Sequence, residues 1–104
     1  MKIIDTHSHL YSDKFTKDLD EVIERGKEVL HAIFLPNINN STLEAMNALH
    51  QRDPNFFFPM IGLHPCDVQA DWEDELTKLK ASLDKGTHSY FGIGETGIDL
   101  YWDP

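Results

Sequence analysis

Short apolar segments alternate with amphipathic ones along the whole chain, and this regular order limits the available folds more than any other feature. Four segments are apolar and short enough to be buried strands: residues 2–5, 31–35, 56–62 and 90–94. Three longer segments, with apolar residues at helical spacing, lie between them. Such an alternation with hydrophobic strands predicts an α/β fold in which helices cover a parallel sheet.

Local signals mark where the three predicted helices begin and end. The first carries apolar residues at helical spacing from Leu19 onward, with acidic residues near its start. A capping box that starts at Ser41 opens the second helix, which stops before Pro54. The third extends from Trp72 to Gly86, because glycine commonly ends a helix.

Length and composition indicate one globular domain, residues 1–104, with a 40% hydrophobic content that suits a folded core. No apolar run approaches the roughly 20 residues needed to cross a bilayer. Cys66 is the only cysteine, which excludes an intrachain disulfide and indicates a reducing cytoplasm. The net charge of −9 argues against a broad electrostatic grip on nucleic acid, although metal ions can still hold a phosphate-containing substrate.

A His-x-His pair follows the first predicted strand, in the sequence Asp5-Thr6-His7-Ser8-His9. Because side chains alternate along a strand, we expect Asp5, His7 and His9 to point the same way. Two imidazoles at this spacing can reach one divalent metal ion. Asp5 lies one step further back, where it could orient one of these ligands. His7 and His9 are therefore candidate metal ligands.

A carboxylate with glycines on either side follows the fourth predicted strand, in residues 94–99 (Gly-Glu-Thr-Gly-Ile-Asp). The neighbouring glycines let Glu95 approach a metal ion closely. Its two oxygens accept independently, so Glu95 could bridge two ions. Asp99 lies in the same segment, where a solvated turn after the strand explains it equally well.

A third histidine, His64, ends the third predicted strand, and Pro65 restricts its backbone to extended conformations. We expect the imidazole to face the mouth of the site, as a contact to a substrate phosphate or as a proton carrier. Asn37 also follows a strand, but we interpret it as an ordinary polar residue at a strand end. Four further residues are interpreted as structural or incidental: His31, His50, His88 and Cys66.

Three segments together resemble the TatD family of metal-dependent hydrolases: residues 5–10, 62–65 and 94–99 match it in order and spacing. The resemblance covers essentially the whole chain. It implies a TIM-type (β/α)8 barrel of the amidohydrolase superfamily, here limited to about its first four strands and three helices. It also implies divalent metal ions (Mg²⁺, Mn²⁺ or Zn²⁺), two per complete site, and deoxyribonuclease activity on DNA or another phosphodiester.

The resemblance also implies a role for each matching residue. His7 and His9 would bind the first metal ion, and Glu95 would bridge both ions. His64 and Asp99 would lie near the substrate as catalytic residues.

The family's full length is about 250 residues, the usual size of an eight-stranded barrel. Two later histidines and a late aspartate complete its second metal site, and residues 1–104 have no counterpart of them. Many relatives also carry a second histidine after the His-Pro pair, where this chain has Cys66. We therefore expect an incomplete catalytic set, with weak or no activity. An open half-barrel should also associate with itself or pair with a missing C-terminal half.

Three other functions stay open. Another hydrolase of the same superfamily would act on an amide or ester bond, since the barrel does not fix the substrate. A phosphoesterase of the polymerase-and-histidinol-phosphatase type also begins with His-x-His, but residues 94–99 disfavour it. A non-catalytic half-barrel would act as an interaction module, and such a module need not retain any metal.

Overall fold

The centre of the fold is a parallel β-sheet. The structure, a computed structural model, describes residues 1–98 and residue 100. Its three strands are β1 (Ile3–Asp5), β2 (Leu30–Leu35) and β3 (Phe57–Pro59), in the order β1-β2-β3. Both neighbouring pairs are parallel, as the alternation of strands and helices predicts.

Helices make the connections between the strands. α1 (Leu19–Val29) joins β1 to β2, α2 (Leu43–Arg52) joins β2 to β3, and α3 (Trp72–Lys85) follows β3. Gly86 has a φ of 67°, a left-handed conformation that glycine adopts without strain, and it ends α3 where the sequence predicts. Three short 3₁₀ helices precede the α-helices: Asp13–Phe15, Asn40–Thr42 and Pro65–Asp67.

The start of α2 differs from the prediction, because the capping box begins at Asn39 and not at Ser41. The Asn39 side chain accepts the N–H of Ser41 at 2.8 Å, and the Thr42 hydroxyl accepts the N–H of Asn39 at 3.4 Å. A 3₁₀ helix, Asn40–Thr42, precedes α2. The free N–H groups at the start of this 3₁₀ helix lie within reach of the side-chain oxygen of Asn39.

The fourth predicted strand is wrong as a regular strand. Within the described residues, Ile61 and Ile93 form only an isolated parallel bridge. Residues 91–94 nevertheless run alongside β3, where the N–H of Phe91 donates to the carbonyl of Pro59 at 2.8 Å. Pro59 has no N–H to donate, so it interrupts the ladder. β3 ends at the same proline, earlier than the sequence predicts.

The main hydrophobic core lies between the sheet and the first two helices. Leu35 and Phe57 contribute fully buried side chains from β2 and β3, and Met46 does so from α2. Burial of one such side chain is worth about 1.5–3 kcal/mol. The other buried members are Leu10, Tyr11, Ile23, Ile33, Leu49 and Phe56. A smaller cluster contains Ile61, Leu63 and Leu79.

Both edges of this sheet expose apolar side chains. On β1, Ile3 is 62% and Ile4 51% exposed, and beside β3 Phe91 is 48% and Ile93 69% exposed. Apolar residues at an open edge favour pairing with another chain. No described helix combines the length and the apolar character needed to cross a membrane.

We expect a chain of these 104 residues to associate with itself in sedimentation velocity, because its apolar edges lack partners. Ile93→Lys should shift the distribution towards the 12.0 kDa monomer, since a charge at the edge opposes pairing. Val68→Lys adds the same charge to an apolar residue that is 53% exposed but outside the sheet, and should leave association unchanged. A concentration-independent monomer in the unsubstituted chain would contradict this prediction.

Candidate metal centre

Three residues that the sequence singles out as metal ligands lie together beyond the ends of the strands. The Oε2 atom of Glu95 is 3.1 Å from Nε2 of His7 and 3.3 Å from Nε2 of His9. The two Nε2 atoms are 3.2 Å apart. The potential ligand atoms of this trio all lie within 4.8 Å of one another. Two nitrogens and one carboxylate oxygen therefore converge on a single point.

A loop, not a strand, places the two histidines. β1 ends at Asp5, so the alternation of side chains along a strand does not reach His7 or His9. The loop is anchored where the N–H of Ser8 donates to the carbonyl of Phe34 at 3.1 Å. Asp5 accepts the backbone N–H of His7 at 3.0 Å, so it holds the backbone of the loop. Its predicted role in orienting an imidazole stays a prediction.

His64 contacts Glu95 on the other carboxylate oxygen. Its Nδ1 accepts the backbone N–H of Cys66 at 3.0 Å, so that nitrogen carries no proton. In the neutral ring the proton is then on Nε2, which lies 3.1 Å from Oε1 of Glu95 and donates to it. This bond leaves Oε2 of Glu95 facing His7 and His9. The predicted contact with a substrate phosphate remains a prediction, and Asp99 lies outside the described residues.

Asn37 fixes the backbone of Glu95, a role that its position in the sequence does not predict. It is fully buried, and its N–H and C=O bond to Gly94 O at 3.0 Å and to Glu95 N at 3.1 Å. Its side-chain amide donates to the carbonyl of Gly62 at 3.0 Å. The one signal in the sequence was its place after a strand, where His7, His9, His64 and Glu95 also lie.

The close approach of two backbone segments requires glycine at position 62. A Cβ on Gly62 would lie 2.7 Å from the carbonyl carbon of Gly94 and 2.9 Å from the carbonyl oxygen of Glu95. Neither group belongs to a flexible side chain, so any larger residue would push the Glu95 segment away.

The electrostatics of the trio suit a cation. Oε2 of Glu95 is buried and accepts no hydrogen bond from any described residue, although two imidazole nitrogens lie nearby. Burial, followed by the neighbouring His7, lowers the pKa of His9 and outweighs the opposing effect of Glu95. The neutral, lone-pair-bearing form of His9 is therefore favoured. Two imidazole nitrogens and a carboxylate oxygen at this spacing fit a divalent metal ion, which can accept a lone pair from each of them.

The histidines interpreted as structural lie elsewhere. Nδ1 of His50 is 2.6 Å from the carbonyl oxygen of Phe57 and ties α2 to β3. Among the described residues, the group of candidate metal ligands contains only His7, His9 and Glu95. Cys66 is exposed, in the 3₁₀ helix directly after His64.

The fold and the convergent nitrogen and oxygen ligands define a class of protein, α/β proteins with a candidate divalent-metal site beyond the ends of a parallel sheet. Residues 4–104 match the sequence profile of the family described as TatD related DNase, and the chain belongs to this family. A crystal structure of the TatD homologue YjjV from Escherichia coli superimposes with a TM-score of 0.81 at 24% identity. The superposition covers 97% of this chain and 39% of YjjV, which identifies the fold as part of a TatD-type TIM barrel.

Two curated relatives carry names that bear on function. The uncharacterized metal-dependent hydrolase YabD of Bacillus subtilis is 35% identical over 103 residues, which cover 97% of this chain and 39% of YabD. The human deoxyribonuclease TATDN3 is 26% identical over 105 residues, which cover 94% of this chain and 38% of TATDN3. The chain thus spans about two fifths of the length of the relatives that it matches.

Gly62→Ala tests whether the close backbone approach builds the site. We expect it to lower the free energy of unfolding by about 1–3 kcal/mol, because the added methyl group collides with backbone atoms. It should also weaken Zn²⁺ binding in calorimetry, because Glu95 moves away from the two histidines.

Gly26→Ala is the matched control, since the nearest atom to its added Cβ is a Leu30 methyl carbon at 3.8 Å. Within α1 this change should be neutral or raise the unfolding free energy by about 0.5–1 kcal/mol. Equal effects of the two substitutions on Zn²⁺ affinity would contradict the role of Gly62.

Proposed function

We propose that this chain is the N-terminal part, residues 1–104, of a divalent-metal-dependent hydrolase that cleaves phosphodiester bonds of DNA. The observation that carries the proposal is the convergence of His7, His9 and the unbonded Oε2 of Glu95. Membership of the TatD family and the deoxyribonuclease name of TATDN3 support the choice of substrate.

In this proposal His7 and His9 would hold one metal ion, and Glu95 would supply a carboxylate to that ion and to a second one. Mixed nitrogen and oxygen ligands admit Mg²⁺, Mn²⁺ or Zn²⁺. Bound ions of this kind polarise phosphoryl oxygens and lower the pKa of a coordinated water. His64 holds Oε1 of Glu95 in place by a hydrogen bond, which leaves a lone pair of that oxygen for a second ion. With Asp99, His64 would lie on the substrate side of the site.

The charge of the chain shapes how it would hold DNA. With a net charge of −9, the protein surface as a whole repels a phosphate backbone. Attraction must therefore be local, and the metal centre is the place where positive charge can be concentrated. We place this activity in the cytoplasm, in accord with a single, exposed cysteine.

A working site requires more polypeptide than these residues provide. Three ligand atoms from His7, His9 and Glu95 suit one metal ion, and a bridged pair needs further ligands. We propose that additional chain, either a C-terminal half or a second copy, pairs with the open edges of the sheet. The catalytic set within residues 1–104 is thus incomplete, and the chain alone should turn over substrate weakly or not at all.

Two alternative functions have support of their own. The same trio of ligands could serve a hydrolase that acts on an amide or ester bond, since the fold does not determine the substrate. The exposed apolar edges would equally suit a non-catalytic interaction module. Metal content separates the module from both hydrolases, and the bond that is cleaved separates the two hydrolases.

Metal titration tests the site directly. We expect calorimetry to show one Zn²⁺ per chain, and His9→Ala to weaken binding by more than about 100-fold, since loss of an outer partner alone costs 10–100-fold. His31→Ala is the control, because His31 is an exposed histidine near the start of β2, away from the trio. Equal loss in both variants, or no binding by the unsubstituted chain, would contradict the proposed centre.

Hydrolysis of linear DNA in the presence of Mn²⁺ tests the reaction. We expect little or no product from these 104 residues alone. Cleavage at a rate comparable to that of a full-length relative, abolished by His9→Ala, would show that the catalytic set is complete. Hydrolysis of an acylated substrate without cleavage of DNA would favour the amide or ester alternative.

A further inference from the structure

Tyr11 places a buried hydroxyl group directly behind the metal centre. Its oxygen is 2.7 Å from Nδ1 of His9 and 2.5 Å from the carbonyl oxygen of Pro36. The phenol ring packs edge-on against the imidazole of His9, with ring centroids 5.6 Å apart. Only 8% of Tyr11 is exposed, so water does not compete freely for these contacts.

The positions of the protons follow from the chemistry of the three groups. A carbonyl oxygen can only accept, so the contact with Pro36 takes the single phenol proton. A phenol keeps its proton at neutral pH, since its ordinary pKa is about 10. The phenol oxygen can then only accept from His9, and Nδ1 of His9 must carry a hydrogen.

A neutral histidine with its hydrogen on Nδ1 has a bare lone pair on Nε2. In His9 that Nε2 atom is the one that faces Oε2 of Glu95 and Nε2 of His7. We propose that Tyr11 is a positioning residue, which holds His9 in the Nδ1–H tautomer and so presents Nε2 as a metal ligand. This inference rests on the proposed metal centre and adds a residue to it.

The hydroxyl group of Tyr11 also links the segment that carries His9 to the segment that places Glu95. Pro36 precedes Asn37, the residue whose backbone bonds to Gly94 and Glu95. Tyr11 therefore ties the loop that carries His9 to the strand end that places Glu95. Without the hydroxyl group, His9 should no longer be held in one tautomer. The distance between His9 and Glu95 should no longer be fixed either.

The test is nuclear magnetic resonance of the metal-free chain labelled with ¹⁵N in its histidine rings, compared with Tyr11→Phe. Long-range ¹H–¹⁵N correlations report which ring nitrogen carries the hydrogen, and His9→Ala identifies the signals of His9. We expect Nδ1–H in the unsubstituted chain, and a mixture of tautomers or Nε2–H in Tyr11→Phe. Zn²⁺ affinity should fall by about 10-fold in the variant, the cost of losing an outer partner of a ligand.

Tyr90→Phe is the matched control, because it removes a phenol hydroxyl group that contacts Asn47 at 3.2 Å, away from the metal centre. It should leave the tautomer of His9 and the Zn²⁺ affinity unchanged. An averaged or Nε2–H ring in the unsubstituted chain overturns the inference, as does an unchanged tautomer in Tyr11→Phe. A His9 ring that carries its hydrogen on Nδ1, and that changes tautomer in Tyr11→Phe, supports the inference even if no Zn²⁺ binds. Failure to bind Zn²⁺ would contradict only the proposed metal centre.

Discussion

The contact on which the rest of the site depends is the close approach of residues 94–95 to the ends of β2 and β3. Asn37 bonds to both residues through its backbone and to Gly62 through its side chain. Gly62 leaves room for the approach, since a Cβ there would collide with the opposing backbone. The carboxylate of Glu95 thereby reaches two histidines that lie more than 80 residues earlier in the sequence. Two uncharged residues, Asn37 and Gly62, thus decide whether Glu95 meets the two histidines.

Of the three histidines that contact Glu95, His9 and His64 have opposite tautomers, because different groups lie behind their rings. Behind His9 lies an acceptor, the oxygen of Tyr11, so the hydrogen of His9 is on Nδ1 and its Nε2 is bare. Behind His64 lies a donor, the N–H of Cys66, so its hydrogen is on Nε2 and points to Glu95. His9 is therefore suited to bind a metal ion, whereas His64 is suited to hold the carboxylate.

The fold also explains how the trio can assemble without a complete barrel. Parallel strands bring their carboxyl ends to one edge of the sheet, so residues that follow separate strands meet there. Three strands and the segment 91–94 beside β3 suffice to assemble His7, His9 and Glu95. They do not close the sheet into a barrel, and its two edges leave Ile3 and Ile93 exposed. Binding of a metal ion and completion of a barrel are separate requirements.

The sequence by itself determined the order of strands and helices, the parallel sheet, and the identity of the trio, because these follow from periodicity and from local residue types. It indicated that Pro59 lacks a backbone donor, but not that β3 ends there, and it did not reveal the cap at Asn39 or the roles of Asn37 and Tyr11. The bonds from Tyr11 to Pro36 and from Asn37 to Gly62 each join residues 25 apart along the chain. Only the tertiary structure decides such contacts, because burial and hydrogen bonding between distant segments depend on how the elements pack.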